Sequence, residues 1–85
     1  MVAHELGHAL DLELLDTGKR RAWKQQRGLA VDAPWWPAQG AADFDTGSGD
    51  FAECFATLAV GSRSLSPHGP CSAADLAVLE GLLAG

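Results

Sequence analysis

Val2-Ala3-His4-Glu5-Leu6-Gly7-His8-Ala9-Leu10-Asp11 holds an H-E-x-x-H pattern between His4 and His8. On an α-helix, residues four apart share one face about one turn apart, so both imidazoles can grip a single metal ion. Imidazole nitrogen suits zinc, and two such ligands leave room for a third protein group and a water. Glu5 lies on the flank of that face. It can reach a zinc-bound water without binding the metal, which is the position of a general base. The other reading is a solvated helix face. Against it stand Val2, Ala3, Leu6, Ala9 and Leu10, which predict a largely apolar, buried helix whose ionisable groups need partners.

That helix is predicted from near Val2 to Leu15, with Leu6, Leu10 and Leu14 as its packing face. Asp16-Thr17-Gly18 closes it, Gly18 taking the left-handed position past the helix end. Asp11 and Glu13 read as solvent-facing; Asp11 alternatively accepts a hydrogen bond from a metal-ligand imidazole one turn back. Lys19 to Arg27 reads as a short polar helix with Trp23 as its core contact and Gly28 as its end.

From Leu29 to Gly49 no period holds. Pro34-Trp35-Trp36-Pro37 is rigid and aromatic, either lining a cleft or, the preferred reading, lying over the core as a lid. Asp50 to Val60 is the second strong helix, apolar at nearly every position except a stripe of Asp50, Glu53 and Thr57. A final helix over about Ala73 to Leu83 packs through Leu76, Leu79 and Leu83. Ser72 and Asp75 form a weak capping box at its start.

Two histidines do not hold zinc tightly alone. A metzincin would need a histidine at position 14 and a glycine at position 11, where Leu14 and Asp11 stand. The remaining solution is a glutamate on a second helix. Glu53 fits, because an acid inside an apolar helical run is costly to bury without a cation. The same residues also read as a helix start, with Asp50 as N-cap and Glu53 three residues inside, needing no metal. Asp50 is the reserve ligand. Cys54, next to Glu53, reads as a packed core thiol rather than a fourth ligand. A disulfide between Cys54 and Cys71 is open if the chain is exported.

His4-Glu5-Leu6-Gly7-His8-Ala9-Leu10-Asp11, followed by Asp50-Phe51-Ala52-Glu53-Cys54-Phe55-Ala56, resembles the gluzincin zinc metallopeptidases. The chain looks most like the anthrax-toxin lethal factor-like catalytic domains and the small minigluzincins. The resemblance spans about residues 2–60. It implies His4, His8 and Glu53 as Zn2+ ligands, Glu5 as general base, and peptide or protein as substrate. Thr57 stands where thermolysin-type members carry an aspartate, and the chain has no tyrosine to assist the oxyanion. His68, in the loop after the glutamate helix, is the substitute donor if it is not simply solvated.

The expected architecture is mainly α: a small zincin-like helical domain over residues 1–85, with the active-site and glutamate helices packed across the zinc site and little or no sheet. Such peptidases align substrate by strand addition to a sheet ahead of the active-site helix. That sheet has no stretch to come from here, so the chain is either a minimal form or a piece of a longer peptidase. A metal-clipped module without catalysis is the rival from another class. Net charge is −5 and the only basic cluster is Lys19-Arg20-Arg21, which argues against a nucleic-acid partner. No apolar run approaches the ~20 residues of a membrane span. Export and a cytoplasmic setting both stay open.

Overall fold

A computed structural model describes residues 2–37 and 46–84. Four helices follow in order: α1 (Val2–Leu14), α2 (Thr17–Arg27), α3 (Gly47–Val60) and α4 (Ala73–Ala84). Among the described residues there is no strand, as the mainly α reading expected. No described helix is long and apolar enough to cross a membrane.

α3 is the central element. It touches all three other helices, and its longest interface is with α1. Every residue from Gly47 to Ala56 is buried, which explains why this stretch is so nearly apolar. The core gathers Trp23, Trp35, Phe51, Phe55 and Leu79 around it. Trp23 meets Phe51 edge-on at 5.5 Å between ring centroids, so Trp23 is the α2 core contact that the sequence predicts.

The packing face of α1 is not the leucine row. Leu6 and Leu14 are exposed and Leu10 is only partly covered, while His4, Gly7 and Asp11 are buried. Gly7 accounts for the reversal. A Cβ there would lie 2.9 Å from Ala52 Cα, so only the glycine seam lets the two backbones come this close. The polar groups beside it are then satisfied by partners from α2, α3 and the tryptophan loop, and the leucines are left outside.

The junctions correct two further expectations. α1 ends at Leu14, and Asp16 caps α2 by accepting from the Lys19 N–H at 2.8 Å. Gly18 is therefore inside a helix; the left-handed glycines are Gly28, Gly61 and Gly69. Gly28 ends α2 as the sequence predicts. α3 starts at Gly47, with Thr46 rather than Asp50 as its N-cap. Glycine at 47 is required by packing, because a Cβ would fall 2.5 Å from the Trp35 ring. The Ser72–Asp75 box at α4 forms in both directions, at 2.8 and 3.1 Å.

Two cross-links tie the helices together. Cys54 and Cys71 form a disulfide, so the core-thiol reading of Cys54 is corrected. Arg27, nearly buried, spans three elements. Its guanidinium donates to both oxygens of Asp50 at 2.8 and 2.9 Å and to Asp75 at 2.8 Å. It also donates to the carbonyls of Gly69 and Pro70.

Candidate metal centre

The α1 spacing brings the two imidazoles together, with ring centroids 4.7 Å apart and ring planes at 77°. Their Nε2 atoms face each other at 3.0 Å. Two nitrogens bound to one tetrahedral zinc stand roughly 3.3 Å apart, given Zn–N distances of about 2.05 Å. Across the α1–α3 seam, Glu53 Oε2 accepts from His4 Nδ1 at 2.6 Å. Glu53 Oε1 accepts from the Leu65 backbone N–H at 2.7 Å, so the loop after α3 holds the other side of the carboxylate. His4 and Glu53 are 6% and 5% exposed, so the carboxylate is desolvated and requires a cation or charged donor beside it.

A carboxylate on Nδ1 selects the tautomer of His4 that carries its proton there, which leaves the Nε2 lone pair directed at His8. That Nε2 lone pair is the one a metal takes when a carboxylate orients the ring from behind. Among the described residues no three ligating side chains converge on one point, because Glu53 addresses Nδ1 while His8 addresses Nε2. The donor set, two imidazoles and a buried carboxylate, is of the type zinc accepts, and the spacing of the imidazole pair is close to that of bound ligands. Glu5 is exposed beside His4 and His8, on the part of α1 that faces solvent.

The other residues singled out in the sequence go elsewhere. Asp11 is fully buried rather than solvent-facing. It accepts from Arg20 Nε at 3.0 Å and Trp35 Nε1 at 2.8 Å. Asp50 is neither N-cap nor reserve ligand: Trp23 Nε1, Arg27 and Ser66 Oγ take up its oxygens, and Arg27 is the cation that allows its burial. Glu53 lies in the second turn of α3, so the capping alternative for it does not hold. Thr57 Oγ1 donates back to the Glu53 carbonyl at 3.2 Å. Cys54 is taken by its disulfide, which removes it as a ligand. His68 is exposed in the loop after α3, its backbone N–H on Ser66 Oγ. The tryptophan pair divides: Trp35 is buried on Phe51, and Trp36 is half-exposed over Arg20.

Sequence reasoning missed Leu65, Arg20 and Arg27. The Leu65 contribution is a backbone N–H and leaves no trace in residue type. Arg27 had a signal: buried Asp50 needs a cation, and α2 carries most of the chain's cations. The hydrogen bond to Asp50 raises the Arg27 pKa above its ordinary value, against the opposing effect of burial. Burial pushes the Asp75 carboxyl up, but hydrogen bonds from Gln26 and Ser72 and the charge of Arg27 outweigh it and hold it below its ordinary value.

Comparison of the chain with family models, with curated proteins and with solved structures finds no match.

Proposed function

We propose that this chain is a zinc-dependent metallopeptidase, with His4 and His8 holding the ion through their facing Nε2 atoms, Glu53 joining them by exchanging its hydrogen bond on His4 Nδ1 for the ion, and Glu5 serving as general base. The observation that carries the reading is the buried carboxylate of Glu53 against His4, with His8 in turn against His4, across the α1–α3 seam. Zinc, when bound, lowers the pKa of a water toward ~7 and polarises a carbonyl. Glu5 accepts the proton of the attacking water and passes it to the leaving amine. The Leu65 N–H anchors Glu53 Oε1, which leaves Oε2 as the oxygen that would turn to the ion. The Cys54–Cys71 disulfide supports a setting outside the reducing cytosol.

A second reading has its own support. Both Glu53 oxygens already have donors, so the cluster also serves as a latch between α1 and α3 in a non-catalytic module. Elemental analysis of purified protein and a casein digest with and without chelator separate the two. The peptidase reading expects one zinc per chain and chelator-sensitive cleavage. Protein that takes up no zinc when supplied with it, or that binds zinc and cleaves nothing, overturns it.

A further inference from the structure

On the α2 side of the molecule lies a second cavity, of about 210 Å3, whose walls include Arg20, Arg21, Lys24, Trp35 and Trp36. Among the described residues no carboxylate lines it. Arg20 is neutralised by Asp11. Lys24 is not: its ammonium donates to the carbonyls of Val31 and Ala33, which carry no charge. Among the described residues Arg21 makes no ion pair and is exposed. Among the described residues the walls therefore keep two uncompensated positive charges, in a chain of net charge −5. The indoles give the cavity apolar sides suited to a short methylene stem. Arg20 lies 4.7 Å from the Trp36 ring centroid, which holds that ring in place.

Trp36 is shared. It also lines a neighbouring cavity of about 270 Å3 whose walls include His8, Asp11 and Ser48. One indole thus stands between the cavity that His8 lines and the basic cavity. We propose that the Arg21–Lys24–Trp36 cavity is a substrate subsite for an acidic side chain, glutamate or aspartate, of a peptide that passes over Trp36 from the metal centre. The peptide part of this proposal rests on the peptidase reading; the carboxylate recognition does not. A polyanion such as nucleic acid fits less well, because the surrounding negative charge repels an extended strand while a single carboxylate is screened from it.

The test has two arms. In the first, the whole chain is titrated with N-acetyl-glutamate amide and N-acetyl-glutamine amide, followed by tryptophan fluorescence. The acidic probe should bind about tenfold more tightly, the effect of one charge-assisted hydrogen bond. Arg21→Gln should erode that preference and Arg21→Glu abolish it, with helix content by circular dichroism retained because Arg21 is exposed. In the second, zinc-loaded protein is given matched peptides differing only in Glu or Gln near the cut, and the Glu peptide should be cleaved about tenfold faster. Equal binding of the two probes, no effect of Arg21→Glu, or tighter binding of a single-stranded oligonucleotide overturns the subsite. Acidic-probe preference without zinc uptake or cleavage sinks the peptidase reading and leaves the carboxylate site standing. Cleavage without a Glu preference does the reverse.

Discussion

A methyl group added at Gly7 would stand 2.9 Å from the Ala52 backbone. Gly7→Ala gains up to about 1 kcal/mol of helix propensity but overpacks a backbone contact, at about 1–3 kcal/mol. Overpacking wins because backbone, unlike a side-chain tip, cannot swing aside. The melting temperature should fall by roughly 5 °C, read by circular dichroism. An unchanged or higher melting temperature would mean that the seam is looser than described. Glu5→Gln tests chemistry rather than packing: zinc content should persist while cleavage drops about 10²–10⁴-fold. A Glu5→Gln protein as fast as its parent removes Glu5 from the mechanism. At this scale the proximity of His4, His8 and Glu53 was legible in the sequence. The first two obey a local spacing rule, and the third is an acid in an apolar run. Asp11 was misread because its burial depends on Arg20 and Trp35, which its own neighbours do not reveal.

Helices were legible in position and less so at their ends. Gly28 and the Ser72–Asp75 box announce themselves because each cap requires a particular residue type. The start of α3 was missed because Gly47-Ser48-Gly49 reads as turn, whereas Gly47 is present to admit Trp35. The α4 box yields a pH prediction. Asp75 is held below its ordinary value of 3.8, so its contribution is complete above that value and is lost as pH falls through the lower, folded one. Asp75→Asn should cost about 2 kcal/mol near neutrality and flatten the loss of stability below the ordinary value. Urea midpoints across the acid range check both. A variant whose acid limb is as steep as the parent's shows that other carboxylates drive acid unfolding.

A domain of 85 residues has a small stability margin, and here two long-range ties, the disulfide and Arg27, cross the fold. The disulfide joins residues 17 apart in sequence and contributes about 3 kcal/mol by restricting the unfolded chain. The double variant Cys54→Ser/Cys71→Ser should melt roughly 10–20 °C lower, and reductant should then have no further effect. An undiminished melting temperature would show that the bridge is dispensable. This tie was not legible: whether two cysteines pair depends on how close the fold brings them, and a residue list does not encode that. The bridge also frames the segment from which Leu65 offers its amide to Glu53, and its own side chain is exposed. The Leu65 position is thus invisible to an alanine scan, since nineteen amino acids carry the same amide proton. Proline alone lacks it, and Leu65→Pro, a change at the surface, should unseat an acid in the interior.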